Sequence, residues 1–303
     1  MKFNRVIKFT LLTVVLITLG AVAAVVGVLM FGGPPMDSGS TLADGRVTLA
    51  VDRRGPVRIG AYVVELADGG YALVDTGMDP AAGEILSILE GRGASASDVR
   101  ALFLTHAHGD HAGGMGAFPA ATVYAMAADA EVLRTQGLVV QGLADGESIA
   151  VGGTVVEAFA MPGHTAGSAA YLVHGVLFLG DAAAATSESS LDSNDVAFTD
   201  DAARNRASLH ALANRVGTRG DDLRLLAFGH QGPVQGLGPL LDLDGLTSNS
   251  PDTLAAALLS VSGVLADTKF GSLLYLDRER TASSLNFGDV LLEAVTDVQR
   301  LID

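Results

Sequence analysis

The 303-residue chain contains no cysteine. That absence removes disulfides, thiolate zinc sites, iron–sulfur clusters and cysteine nucleophiles together. Positive charge is also scarce: 19 Lys and Arg stand against 34 Asp and Glu, for a net charge of −15 with no basic block. A nucleic-acid groove needs a positive footprint, so no nucleic-acid partner is expected. Hydrophobic residues make up 49% and charged ones only 17%, which excludes disorder as the overall state. The length suits one large domain, or one domain with a smaller annex.

What the chain does have begins with a long uncharged run. Lys2, Arg5 and Lys8 precede a stretch from Phe9 to Met36 that lacks Asp, Glu, Lys and Arg. Crossing a bilayer takes about 20 apolar residues, whereas the apolar part of a cleavable signal spans about 7–15. Residues 1–36 are therefore expected to be an N-terminal transmembrane helix that anchors the chain in the membrane. The competing reading is a long cleaved signal peptide, leaving a secreted or periplasmic protein. Basic residues before the run and Asp37 after it place the rest of the chain on the extracytoplasmic side.

Residues 37–45 look like a short linker. Beyond them, apolar runs at 46–51, 60–65 and 71–74 read as strands, with Ala67-Asp68-Gly69-Gly70 as a hairpin turn. Helical spacing follows at 80–90, 127–135 and 201–216. Further strands are expected at 101–105, 122–125, 154–160, 169–173, 176–179 and 223–228. Strands paired first with strands and then interleaved with helices point to layered α and β, of mixed and not all-parallel sheet. A catalytic domain over 46–238 is followed by a C-terminal extension, 239–303, which carries no nameable motif.

The chemistry concentrates at strand ends. Thr105-His106-Ala107-His108-Gly109-Asp110-His111 offers four metal ligands within six positions, 106–111. In extended chain, residues i and i+2 point the same way, so His106 and His108 can grip one ion. Gly109 is expected to turn the chain sharply, after which Asp110 and His111 face a second position. Imidazole and carboxylate are what a borderline divalent ion takes when thiolates are absent. His164, Asp181 and His230 each follow a glycine at the end of a later strand. Asp75, in Val74-Asp75-Thr76-Gly77, ends the third strand in the same manner. His174 in a turn and His210 in mid-helix read as bystanders. Ala185–Thr199, rich in Ser and Asp, either lines the cleft or is a plain surface loop. Arg53 and Arg54 could reach an anionic substrate group, although a solvated turn is the simpler reading.

These segments in this order, V-D-T-G, H-x-H-x-D-H, P-G-H-T, L-G-D and G-H, resemble the metallo-β-lactamase superfamily over about residues 42–235. The resemblance implies an α/β (α+β) fold, a four-layer αββα sandwich, here with an N-terminal transmembrane helix and a short C-terminal α/β extension. It implies two divalent metal ions, zinc first, with iron or manganese as alternatives. His106, His108 and His164 would hold one ion; Asp110, His111 and His230 the other; Asp181 would bridge them. Asp75 would orient a ligand histidine from behind, and Asp110 would also handle a proton.

The implied activity is that of a binuclear metal-dependent hydrolase using a metal-bridging hydroxide to cleave a small ester, lactone, thioester or lactam. A cysteine-bearing β-lactamase is excluded by composition. The acidic residue at 181 makes the chain more similar to glyoxalase II and lactonase types than to true β-lactamases. The alternatives are an iron-dependent oxidoreductase of the same fold and a non-catalytic metal-binding membrane protein.

Overall fold

A computed structural model describes residues 33–54, 57–193, 198–219 and 222–242. The first sheet runs in the order β1 (Thr41–Leu42), β2 (Val47–Arg54), β3 (Val57–Glu65), β4 (Tyr71–Val74), β5 (Val99–Phe103), β6 (Thr122–Met126) and β7 (Gln141–Leu143). Its first four strands pair antiparallel, and β4 through β7 pair parallel. The second sheet contains β8 (Ser148–Val151), β9 (Thr154–Ala160), β10 (Ala169–Val173), β11 (Val176–Phe178), β14 (Leu225–Ala227) and β15 (Val234–Gln235). Only its β11–β14 pair is parallel. A separate hairpin joins β12 (Ala184–Ser187) and β13 (Ser190–Asp192).

Side-chain alternation sorts the apolar residues into layers. In β3, Tyr62 and Val64 face the second sheet, meeting Leu49, Phe103, Ala158, Tyr171 and Phe178 in the core between the sheets. The intervening Ala61 and Val63 face outward, with Leu73, onto Ile85 and Leu89 of helix α1 (Gly83–Gly91). Helix α3 (Ala127–Thr135) covers the same face through Ala130 and Leu133. On the far side, Phe159, Leu177 and Leu226 of the second sheet meet Leu209, Leu212 and Val216 of helix α4 (Ala202–Val216). The result is a mixed α/β sandwich with helices outside both sheets. Strands buried on two faces read as continuous apolar runs, which explains their visibility in the sequence.

Two buried tyrosines tie the sheets together just before histidines. Tyr62 Oη donates to Phe228 O at 2.8 Å, and Tyr171 Oη donates to Leu104 O at 2.8 Å. Burial holds both phenols protonated by raising their pKa values, so each remains a donor.

Several details differ from expectation. The short strands β1, β7, β8, β12, β13 and β15 carry too few residues for a periodic signal. Residues 37–45, expected as a linker, contain β1, and Ser38 Oγ accepts a hydrogen bond from Val51 N at 3.0 Å. Met36, expected at the end of the anchor, is buried in the inter-sheet core. The helix expected from Pro80 begins at Gly83 because Asp79 captures the amides of Ala81 and Gly83, with Ala82 left-handed between them (φ 47°). The expected transmembrane helix lies, up to residue 32, outside the described residues. Among those described, no helix is long and apolar enough to cross a membrane. Of the expected C-terminal extension, residues 243–303 lie outside the described residues. Its start falls in α5 (Gly238–Leu241), where Leu240 is buried against the second sheet's outer layer.

Candidate metal centre

The site forms where the strand ends of both sheets converge. Asp75 leaves β4 in the left-handed region (φ 58°) and is buried. Because β4 and β5 run parallel, its carboxylate reaches the end of the next strand. It accepts hydrogen bonds from Thr105 N (2.7 Å), Thr105 Oγ1 (2.8 Å) and the His111 ring at Nδ1 (2.8 Å). The proton on His111 Nδ1 leaves Nε2 as the ligand atom, as expected of a residue behind the ligand shell.

The turn at 108–112 differs from expectation in its cause. His108 is extended, and the short helix α2 (Gly109–Ala112) starts on His108 O, which accepts from His111 N and Ala112 N. Gly109 has open space around its Cα and no positive φ, so the helix start, not a glycine-only conformation, makes the turn. Glycine is required elsewhere: a Cβ on Gly229 would collide with Asp181 Oδ1 and the His111 ring. Gly180 has φ +53° and faces the Thr105 side chain, and Gly229 N donates to Gly180 O at 3.0 Å. That contact sets Asp181 beside His230 at the ends of the neighbouring strands β11 and β14.

The side chains then group in threes. The ligand atoms of His106, His108 and His164 lie within 4.8 Å of one another, as do those of His111, Asp181 and His230. His106, Asp110 and His111 form a third such set. His164 Nε2 is 3.2 Å from His108 Nδ1, while His230 Nε2 lies 3.2 Å from Asp181 Oδ2 and 3.4 Å from Asp110 Oδ2. Asp181 Oδ1 is 3.4 Å from His111 Nε2, and its Oδ2 is 3.8 Å from His164 Nε2. Asp181 thus touches both groups of histidines. His174 does not belong here: it lies between Arg46 Nη1 (3.0 Å) and Glu65 O (2.8 Å), and His210 is exposed on α4.

Besides His111, three more of the imidazoles are held from behind. Thr105 Oγ1 lies 3.1 Å from His106 Nδ1, and Thr199 Oγ1 lies 3.0 Å from His164 Nδ1. His230 Nδ1 donates to Arg58 O at 2.7 Å. Thr199 lies in the stretch expected to line the cleft or form a surface loop; residues 194–197 of that stretch are outside the described residues.

One buried acid escaped the sequence reading. Asp129, in the first turn of α3, accepts from Ala107 N (2.7 Å), Thr165 Oγ1 (2.9 Å) and Gly167 N (2.8 Å). It clamps the His106–His108 loop to the His164 loop. Its only sequence signal was an acid in a helix's first turn, a position that acids favour in any helix.

The electrostatics divide along the same lines. Burial drives the His106 pKa well below the usual imidazole value, and burial takes His164 down to about 4. Burial also pushes His111 and His230 down, but carboxylates outweigh it. Asp181 and Asp75 raise His111 well above its ordinary value, and Asp181 and Asp110 bring His230 to about 10. Asp181, despite burial, is held well below the usual carboxylate range by His230 and His111.

The model of the metallo-beta-lactamase superfamily matches residues 54–230. The chain belongs to this superfamily. A hydroxyacylglutathione hydrolase of Aeromonas hydrophila is 39% identical over 108 residues, covering 34% of this chain and 40% of that protein. The human metallo-beta-lactamase domain-containing protein 1 is 35% identical over 133 residues, 40% of this chain and 49% of that one. The chain thus spans less than half the length of these curated relatives. A metallo-beta-lactamase from Pontibacter korlensis shares the fold with a TM-score of 0.55, at 18% identity, over 69% of this chain and 96% of that structure.

Membership of the metallo-beta-lactamase superfamily implies divalent metal ions, and the donor set can be tested for fit. His106 Nε2 and His111 Nε2 are buried and make no hydrogen bond. An orphaned buried polar atom costs about 1–3 kcal/mol unless something absent pairs with it. Both atoms belong to the ligand groups, and the donors are imidazole and carboxylate, the set that suits zinc, iron or manganese. The residues fit.

Proposed function

We propose that this protein is a binuclear, zinc-dependent hydrolase of a small ester, lactone, thioester or lactam. The observation that carries the reading is the pair of histidine groups joined at Asp181, each containing an orphaned Nε2 atom. His106, His108 and His164 would hold one ion, Asp110, His111 and His230 the other, with Asp181 shared. Bound there, a pair of divalent ions supplies an activated water at neutral pH and polarises a carbonyl oxygen.

The chain's own residues do the rest. Asp75 fixes the His111 tautomer, the Arg58 carbonyl fixes that of His230, and Thr105 and Thr199 orient His106 and His164. Asp110 is half-buried at the mouth, with Oδ2 3.4 Å from His230 Nε2. Its carboxylate is the group placed to take a proton and return it to a leaving group. Hydroxyacylglutathione hydrolases among the relatives support a thioester or ester over a lactam.

We also infer that the apolar run before residue 33 anchors the chain and holds the catalytic part outside the cytoplasm. The uncharged stretch and the basic residues ahead of it support this; release of the chain by alkaline carbonate extraction of membranes would refute it.

The decisive experiment is a chromogenic panel of ester, lactone, thioester, phosphodiester and β-lactam on the zinc-loaded full chain in detergent, with metal analysis alongside. Turnover of an acyl substrate with two ions per chain is expected. Iron content with oxygen consumption and no acyl turnover would establish the oxidoreductase instead.

A further inference from the structure

The hairpin of β2 and β3 carries arginines whose side chains the hydrolase reading does not use. Arg53 and Arg58 are direct partners across the two strands. In the same register, Leu49 faces Tyr62 and Val47 faces Val64, all four in the core between the sheets. Period-two alternation therefore puts both arginines on the side of that inner face, at the open end of the sandwich, where Arg53 is exposed and Arg58 half-buried. Gly60 lies between them and the core, and Met36 fills the space its missing side chain leaves.

This end of the hairpin lies against the metal centre. Gly60 N donates to Gly229 O at 2.7 Å, and the carbonyl of Arg58 itself accepts from His230 Nδ1 at 2.7 Å. Two like charges directly opposite one another destabilise a sheet unless an anion lies between them. Among the described residues several other arginines meet acids (Arg92 meets Glu65, Arg100 Asp68, Arg215 Asp145 and Arg219 Glu157), whereas Arg46 meets the Ala43 carbonyl and His174. Arg53 donates to the Met36 carbonyl at 3.1 Å, and among the described residues no carboxylate pairs with it or with the half-buried Arg58.

We propose that Arg53 and Arg58 form a carboxylate-binding subsite beside His230, so that the substrate is an acyl ester, thioester or lactone bearing a carboxylate. The guanidinium is planar, always charged and forked, which matches a carboxylate better than a lysine would. The backbone link from Arg58 to His230 fixes the subsite relative to the reacting bond. The substrate class rests on the hydrolase reading, whereas anion binding by the arginines does not.

The test uses the zinc-loaded full chain in detergent and two probes. The first compares kcat/KM for the 4-nitrophenyl hemiester of succinic acid with that for neutral 4-nitrophenyl butyrate. The wild type should favour the hemiester, and Arg58→Gln should lower that preference by about 10- to 100-fold, mainly through KM. Arg53→Gln should do so less, because part of its guanidinium is already engaged, and Arg58→Lys should restore part of the preference.

The second probe is a non-hydrolysable ether, 4-(4-nitrophenoxy)butanoate, titrated against its neutral amide by calorimetry. Carboxylate-dependent binding that Arg58→Gln abolishes, without turnover of either ester, would keep the subsite and remove the hydrolase. Ester turnover with equal preference for charged and neutral substrates in wild type and both glutamine variants would remove the subsite and keep the hydrolase.

Discussion

The two histidine groups of the centre are built differently. His106 and His164 are backed only by hydroxyls, Thr105 and Thr199, and burial keeps both imidazoles neutral. His111 is backed by a carboxylate, Asp75, and with His230 faces Asp181 and Asp110. In the first group His106 and His164 are ready neutral ligands, and the loops that carry the group depend on Asp129 behind them. The second concentrates negative charge, so a cation entering it replaces protons already held there. One half of the centre is arranged by backbone clamps and the other by charge.

Asp181→Ala breaks the comparison most severely, because it removes the carboxylate that lies against histidines of both halves. Metal content should fall from two ions toward one, and acyl turnover by about three orders of magnitude. Two ions retained by plasma emission analysis would show that Asp181 is not shared.

Asp75→Ala acts first on the second half, through His111, and more weakly on the first, through Thr105 behind His106. It leaves His111 Nδ1 buried without its acceptor, and affinity for the ion assigned to Asp110, His111 and His230 should drop by about 10- to 100-fold, more than that for the other ion. Competition titration with a chelating dye separates the two ions, and equal weakening of both would contradict the division.

Asp129→Ala is the matching test of the first half. Three donors lose a buried carboxylate, and unfolding by urea should show a loss of about 3 kcal/mol. The ion held by His106, His108 and His164 should weaken, while the other changes less. A variant as stable as the parent would mean that the clamp is ornamental.

Thr199→Val removes a hydroxyl of similar size from behind His164, and its effect on the first ion should stay within about tenfold. His174→Ala lies outside both halves. It should cost about 1 kcal/mol of stability through its lost bonds to Arg46 and the Glu65 carbonyl. Metal content should not move; a change would place His174 in the centre after all.

What could be read from the sequence follows from how each feature is encoded. The long inner strands appear as apolar runs because both faces are buried, and the histidine cluster is visible because six consecutive positions supply four donors. Two- and three-residue strands such as β1, β7 and β15 exist only through their partners and leave no period to detect. Asp129 was invisible for a related reason: its three acceptor contacts join residues 22 to 38 positions away, and nothing local separates it from an ordinary helix-starting acid. Gly109 erred the other way, since a glycine in a motif suggested a conformation that the chain does not need there.

The two tyrosine ties bear on how this molecule forms over time. Tyr62 reaches across 166 positions of sequence and Tyr171 across 67. Contacts so remote close late, after slow loop closure. Before the sheets dock, no partly folded chain holds histidines from both in position. Metal therefore finds at most the local donors of residues 106–111 until the sheets dock. Adding zinc during refolding should leave the folding rate almost unchanged and instead slow unfolding, so the ions act chiefly as a brake on coming apart.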